Sequence, residues 1–188
     1  MTFSERYGRA VDYAVRAHAG QTRKGTPHPY VAHPIAVSAL VIEHGGTEDQ
    51  AIAGLLHDVL EDHGEHHATG IEAAFGPAVI AIVRSLTDGL PDASGQKADW
   101  KTRKLAYIAH LADTPADVLL VAAADKAHNA GAITADFAEM GAAVFDKFSA
   151  SRDQTTWYYR SLADVLGRRL GEDHRLVARL RREIAVWG

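Results

Sequence analysis

The sequence contains no cysteine among its 188 residues. This absence excludes disulfide bonds, thiolate metal ligands and a cysteine nucleophile. A chain without cysteine also suits a reducing compartment, so we expect the protein to act in the cytoplasm.

Long apolar runs and an excess of positive charge are also missing. No apolar segment approaches the roughly 20 residues that a membrane-spanning helix needs. The first ten residues, MTFSERYGRA, lack the apolar stretch of a signal peptide. The formal net charge is -4 at pH 7, whereas nucleic-acid binding usually leaves a basic footprint. We therefore predict neither a membrane nor a nucleic-acid partner, while a local basic pocket for a small anion stays possible.

The residues that are present are typical of a helical globular protein. Hydrophobic residues make up 47% of the chain, an ordinary share for a folded domain. Alanine is abundant, leucine, valine and isoleucine recur at helical spacing, and no segment alternates as a strand would. We predict an all-α fold in a single domain over residues 1–188, with undetermined oligomeric state.

Capping and breaking signals predict where the helices begin and end. Ser4 can cap the first helix, and Thr47 with Gln50 forms a capping-box pattern before the third. Gly76 and Pro77 should split the fourth helix into two pieces. The stretch 136–154 gives no clear pattern. The predicted helices are 4–19, 30–44, 47–62, 71–86, 97–111, 116–133, 155–170 and 173–187.

Four ionisable side chains interrupt an otherwise aliphatic segment at residues 55–62: His57, Asp58, Glu61 and Asp62. On a helix, His57 shares a face with Glu61, and Asp58 shares one with Asp62, because each pair is four residues apart. Burying these groups without compensation would cost several kcal/mol each. A divalent cation is the simplest compensation.

Two further residues complete a set of metal ligands. His33 begins another apolar helix, and Asp125 follows the apolar run 118–124. Two imidazoles and two carboxylates suit Mn²⁺, Fe²⁺ or Zn²⁺ acting on a water molecule, and the carboxylates favour Mn²⁺. Glu61 and Asp62, one turn beyond His57 and Asp58, would activate or orient that water. The structural alternative is that the lone His33 and Asp125 are satisfied core residues.

Basic and aromatic residues elsewhere can build an anion pocket. Arg grips phosphate with two hydrogen bonds, Lys adds a point charge, and an aromatic ring can stack on a base or ribose. The alternative is a solvated basic face and a core aromatic cluster. The candidates are Arg23, Lys24, Lys97, Lys101, Arg103, Lys104, Asn129, Trp157, Tyr158 and Tyr159.

Six segments of this chain, which include His33, His57, Asp58 and Asp125, occur in the same order in the hydrolase domain of the RelA/SpoT alarmone family. The chain resembles that domain, and in particular the stand-alone small alarmone hydrolases of the metazoan SpoT homologue type. The resemblance spans about residues 7–130, and it is more specific than the His57-Asp58 pair alone. The matching segments are AHAGQTRKG (17–25), PYVAHP (29–34), AGLLHDVLED (53–62), FG (75–76), LTD (86–88) and ADKAHN (124–129).

The resemblance implies an HD-domain helical bundle that uses Mn²⁺, with Zn²⁺ or Fe²⁺ as other possible ions. Such a domain removes the 3′-pyrophosphate from guanosine tetra- or pentaphosphate and yields GDP or GTP. Glu61 and Asp62 would be catalytic. The implied metal ligands are His33, His57, Asp58 and Asp125. The implied or candidate substrate-binding residues are Arg23, Lys24, Asn129, Lys104, Arg103 and Tyr158.

The chain departs from the family pattern at two places. His63 follows Glu61 and Asp62 where the family usually has threonine, and Ala130-Gly131 stands where it often has Leu-Arg or Met-Arg. These departures affect the expected identity of the nucleotide more than the expected metal chemistry. The alternatives are hydrolysis of another phosphate ester, such as the 2′-phosphate of NADPH or a nucleoside monophosphate, or a catalytically silent nucleotide sensor.

Overall fold

The structure, a computed structural model, describes residues 2–87 and 98–188. In these two ranges the regular structure is helical, and the β-structure is an isolated bridge between Thr22 and Pro29. The all-α prediction is therefore confirmed. Lys97, at the start of the predicted helix 97–111, lies outside the described residues. The helices are α1 (Glu5–Ala17), α2 (Ala32–Glu43), α3 (Glu48–Leu56), α4 (Val59–His63), α5 (Ala68–Phe75), α6 (Pro77–Leu86), α7 (Trp100–Asp113), α8 (Ala116–Met140), α9 (Arg152–Leu170) and α10 (Arg175–Val186).

Local capping chemistry explains most of these boundaries. The Ser4 hydroxyl accepts a hydrogen bond from the backbone N–H of Arg6 at the start of α1. Thr47 and Gln50 form the predicted capping box before α3, and each bonds the other's backbone N–H. Gly76, at φ 90°, separates α5 from α6, and Pro77 opens α6.

Helix α8 is longer than the sequence predicts, since it continues past Ile133 to Met140. Phe137 in the added turns packs against the core, so the apolar face persists beyond the predicted end. Gly141 ends the helix at φ 60°, and a 3-10 turn over Gly141–Lys147 follows. The segment without a clear sequence pattern thus begins as helix and ends as a short turn.

The predicted continuous helix over 47–62 is wrong at its centre. Helix α3 ends at Leu56, and α4 begins only at Val59. Asp58 has φ -92° and ψ -5°, outside ordinary helical geometry. In a continuous helix adjacent side chains diverge by about 100°. Here the break lets His57 and Asp58 approach one point, with 3.0 Å between Nε2 and Oδ2.

Helices α2, α3 and α8 form the centre of the molecule. Every residue of α3 from Gln50 to Leu56 is buried, and this helix packs on α1, α2, α6 and α8. Gly54 permits the close approach of α2, because a Cβ there would stand 3.2 Å from the Ser38 Cα. Helices α9 and α10 cover another side of α8. Among the described residues, no helix is long and apolar enough to cross a membrane.

Core packing around α8 can be tested by truncating one side chain. Leu119 is fully buried, whereas Leu105 on α7 is 50% exposed. We expect Leu119→Ala to lower the free energy of unfolding by about 2–5 kcal/mol, because it removes buried methyl groups and leaves a cavity. The control Leu105→Ala should change it by less than about 0.5 kcal/mol. Urea unfolding of both variants measures the difference, and equal losses would contradict the packing described here.

Candidate metal centre

Two buried imidazoles face each other at the centre of the molecule. His33 lies in the first turn of α2, and His57 follows the last residue of α3. Their Nε2 atoms are 3.2 Å apart, and the two residues are 1% and 4% exposed. The close packing of α2 on α3 therefore brings together two nitrogen donors that are 24 residues apart in the chain.

Two carboxylates approach the same point. Asp58 Oδ2 lies 3.0 Å from the Nε2 atom of His57 and 3.4 Å from that of His33. Asp125, on α8, places Oδ1 3.2 Å from His33 Nε2 and 3.6 Å from His57 Nε2. The donor atoms of His33, His57 and Asp58 all lie within 4.8 Å of one another, which is close enough to hold one metal ion. Asp125 stands beside them as a fourth donor.

The hydrogen bonds behind the two imidazoles orient their Nε2 lone pairs toward this point. His57 Nδ1 lies 2.8 Å from the carbonyl oxygen of Gly54, so it carries the proton and donates it. His33 Nδ1 lies 2.8 Å from His128 Nδ1. When His33 donates through Nδ1, both Nε2 atoms present lone pairs to the centre. A second hydrogen bond that fixes the ring in this way is typical of metal-binding histidines.

The electrostatics of the centre favour a positive charge there. Burial would raise the pKa of Asp58, but the charge of His57 and hydrogen bonds from both imidazoles hold it well below its usual range. Burial would also raise the pKa of Asp125, but the Lys126 ammonium together with the His33 and His57 side chains holds that pKa well below its usual range. Burial would lower the pKa of His57, yet the neighbouring carboxylates raise it well above its usual value. A divalent cation fits this donor set, since it would supply the positive charge that the carboxylates favour and would accept the lone pairs that the imidazoles and carboxylates direct at this point.

Three neighbours of the centre were not among the predicted site residues. The Tyr30 hydroxyl donates to Asp58 Oδ2 at 2.5 Å, and Lys126 Nζ pairs with Asp125 Oδ2 at 2.7 Å. His128 contacts His33 as described above. All three lie in segments that match the family pattern, PYVAHP (29–34) and ADKAHN (124–129), and that match together with their closeness to His33 and Asp125 was the signal that could have found them.

The two predicted catalytic acids lie on α4, directly after His57 and Asp58 at the α3–α4 junction. Asp62 is exposed, and its Oδ2 accepts a hydrogen bond of 2.8 Å from Gln21 Nε2. Glu61 is also exposed on this short helix. Both carboxylates are therefore open to water and to a ligand in solution.

A cleft of about 390 Å³ lies beside the metal centre. Arg23 connects the two, because its guanidinium donates to Asn129 Oδ1 at 3.2 Å, and Asn129 Nδ2 donates to Asp125 Oδ1 at 2.6 Å. Lys24 is exposed at the rim, with Nζ 5.7 Å from the centre of the Phe148 ring. The remaining polar lining includes Thr26, His28, Asp136 and Lys147.

The structure does not bring the other predicted substrate residues to this cleft. Arg103 lines a separate groove between α6 and α7, where its Nε donates to the carbonyl oxygen of Ala98 at 3.1 Å. Lys104 lies over the ring of Tyr158, 4.9 Å from its centre. Tyr158 is only 6% exposed and packs on Trp100 and Tyr159. Lys101 likewise lies on the Trp157 ring.

The contact between His128 and His33 leads to a prediction about metal affinity. Burial and the neighbouring His33 lower the pKa of His128 to about 4, so at pH 7 it is neutral and can accept the His33 Nδ1 proton. We expect His128→Ala to weaken metal binding by about 10- to 100-fold, because His33 loses the partner that fixes its ring. Titration of chelator-stripped protein with Mn²⁺ measures this. The control His110→Ala, on the exposed surface of α7, should leave the affinity unchanged.

The sequence matches characterised proteins over much of its length. A relative in Drosophila melanogaster, named guanosine-3′,5′-bis(diphosphate) 3′-pyrophosphohydrolase MESH1, is 34% identical over 129 residues, which are 67% of this chain and 68% of that protein. The GTP pyrophosphokinase of Streptomyces coelicolor is 36% identical over 121 residues, which cover 64% of this chain. Those residues are only 14% of the longer Streptomyces protein.

The fold also matches a solved structure. That protein is described as a metazoan ortholog of SpoT that hydrolyzes ppGpp and plays a role in starvation responses. The two structures superpose with a TM-score of 0.79 at 27% sequence identity, over 100% of this chain and 98% of the other. A family model described as HD domain matches residues 10–156. With its His57-Asp58 pair at the centre of this match, the chain belongs to the HD domain family.

Proposed function

We propose that this protein is a cytoplasmic, metal-dependent hydrolase that removes the 3′-pyrophosphate from guanosine tetra- or pentaphosphate, releasing GDP or GTP and pyrophosphate. One observation carries the proposal: hydrogen bonds run from Arg23 in the cleft through Asn129 to Asp125 at the metal centre. A phosphate held by Arg23 would therefore lie beside the metal. The activities named for the Drosophila and metazoan relatives support the choice of substrate.

The metal ligands in this proposal are His33, His57, Asp58 and Asp125, and the ion is Mn²⁺. A divalent cation there would supply Lewis-acid stabilisation of the charge that develops on the phosphoryl oxygens. Lys126 holds the outer oxygen of Asp125, Oδ2, so that Oδ1 stays aimed at the ion. Tyr30 donates to Asp58 Oδ2, the oxygen that faces the imidazoles, and fixes its position. We assign Mn²⁺ because two carboxylates and no thiolate make a hard donor set.

In this proposal Glu61 and Asp62 activate and orient the attacking water. A carboxylate beside the attacking water can accept a proton from it. Gln21 holds the Asp62 carboxylate in place through its 2.8 Å hydrogen bond. We assign Glu61 as the proton acceptor and Asp62, which Gln21 holds in place, as the group that orients the water.

The cleft offers positive charge and a suitable size for a nucleotide. Its volume of about 390 Å³ lies within the usual range for small-molecule sites. Arg23 and Lys24 would contact the phosphates, and Asn129 would position one of them beside Asp125. Parts of the substrate that extend beyond this cleft would be needed for any contact with Lys104, Arg103 or Tyr158. Position 131, where the family often has arginine, is glycine in this chain. Arg179 of α10 lies close to it, with Nη2 3.4 Å from where a Cβ of residue 131 would stand.

The experiment is an incubation of chelator-stripped protein with guanosine tetraphosphate, with and without Mn²⁺. We expect GDP and pyrophosphate to appear together, and only with the metal. Release of orthophosphate from NADPH or a nucleoside monophosphate, with no pyrophosphate from the tetraphosphate, would replace the proposed substrate with another phosphate ester. Binding of the nucleotide by metal-loaded protein without any turnover would instead indicate a sensor.

A further inference from the structure

A second group of metal-type donors lies next to the centre described above and shares no residue with it. His18 follows the last residue of α1, and Asp62 and His63 end α4. One ligand atom from each of the three lies within 4.8 Å of the other two. The Tyr30 ring contacts both groups, with its centre 5.0 Å from the His18 ring and 5.7 Å from the His33 ring.

His18 contacts its polar neighbours, Gln21 and His63, through one atom, Nδ1. The side chain is 2% exposed, and its Nε2 has no hydrogen-bond partner. Its Nδ1 lies 2.7 Å from Gln21 Oε1 and 3.2 Å from His63 Nε2. The polar contacts that set the orientation of this buried ring are therefore all made by Nδ1, on the side of His63.

The hydrogens available do not satisfy these contacts. Gln21 donates its amide hydrogen to Asp62, so Gln21 Oε1 faces His18 as an acceptor. A proton on His18 Nδ1 can point at Gln21 Oε1 or at His63 Nε2, but not straight at both. A proton on His63 Nε2 directed at His18 would leave the His18 lone pair facing an oxygen. When His18 Nδ1 donates to Gln21 Oε1, its 3.2 Å contact with His63 Nε2 is therefore left without a straight hydrogen bond.

We propose that His18, Asp62 and His63 bind a second divalent transition-metal ion, with the side-chain oxygen of Gln21 at the same position. Two imidazoles and one carboxylate, with room left for water, form a typical donor set for Zn²⁺. The ion would give the lone pairs of His18 Nδ1 and His63 Nε2, which face each other at 3.2 Å, a shared positive partner. It also fixes the carboxylate of Asp62 beside the first centre.

The residue that distinguishes this chain is His63. It occupies the position where the resembling family usually has threonine, so the proposed site depends on a side chain particular to this sequence. The inference concerns ion binding and goes beyond the proposed reaction. Its test therefore counts bound ions and does not depend on turnover of any nucleotide.

The experiment is equilibrium dialysis of the chelator-stripped full chain against Zn²⁺, with the bound ions counted by atomic absorption. We expect two tightly bound ions in the wild type, and one each in His63→Thr and Asp58→Ala, because each variant removes a ligand of a different site. For the ion lost in His63→Thr, the dissociation constant should rise about 100-fold or more. The double variant should bind neither ion tightly.

A matched control addresses the other histidines of the same loop. His66 is exposed, lies three residues beyond His63 and belongs to neither group, so His66→Ala should keep both ions. Thermal unfolding of each variant in chelator shows whether it is folded. The inference is overturned if His63→Thr binds as many ions as the wild type with the same affinity, or if His66→Ala loses the same ion.

Discussion

Asp58→Ala should abolish tight metal binding at the centre formed by His33, His57, Asp58 and Asp125 and, with it, catalysis. Asp58 Oδ2 lies within 3.4 Å of both imidazole Nε2 atoms, so its removal takes one ligand and one negative charge from the centre at once. Loss of one partner from a buried ionic site costs about 3–5 kcal/mol, which corresponds to roughly 10²- to 10⁴-fold in an equilibrium or a rate. Mn²⁺ titration and turnover of guanosine tetraphosphate are the two measurements.

The control for this variant is Asp12→Ala. Asp12 is an exposed aspartate on α1 that pairs with Arg16, one turn along the same helix. A surface pair of this kind contributes at most about 0.5 kcal/mol, so both metal affinity and turnover should stay at the wild-type level. Wild-type metal affinity in Asp58→Ala would remove Asp58 from the ligand set.

Glu61→Gln should separate proton transfer from metal binding. The substitution keeps the size of the side chain and removes its ability to accept a proton, and Glu61 lies outside the group of donor atoms. We expect unchanged Mn²⁺ affinity and a loss of turnover of about 10²- to 10⁴-fold, the usual contribution of a general base. Steady-state kinetics at saturating metal measure the loss in kcat.

Glu72→Gln is the matched control, since Glu72 is an exposed glutamate on α5 outside the site. It should keep full activity. Turnover near the wild-type rate in Glu61→Gln would refute the role assigned to Glu61 and leave Asp62 as the remaining carboxylate of α4 for proton transfer. Weaker Mn²⁺ binding in the same variant would instead place Glu61 among the ligands.

The sequence was most informative where the physical cause is local. Ser4, Thr47 and Pro77 mark helix starts because capping and backbone restriction act within one turn, and the structure has helices beginning at each. The aliphatic surroundings of His57 and Asp125 predicted burial of ionisable groups, and both are buried. The same expectation was wrong for Glu61 and Asp62, which are exposed on α4. The helical spacing of the apolar residues indicated an all-helical fold, and the described residues have one.

The break between α3 and α4 was not predictable from the same patterns. Helical periodicity continues through residues 47–62, and no glycine or proline stands at His57 or Asp58. The break is stabilised by contacts from other elements, since Tyr30 bonds Asp58 and the two carboxylates surround the His57 ring. A tertiary contact therefore overrides local propensity at the functional site.

By itself the sequence determined the helices, the donor types and the family pattern, because these depend on residue identity and on spacing within a few turns. Only the tertiary structure decided that Asp125 meets His33 and His57, that Arg23 borders the resulting cleft and that Arg103 does not. Periodicity states which face of a helix is apolar, but it does not state which helix covers that face. The packing of α8 against α2 and α3 settles this, and the distances of the metal centre follow from it.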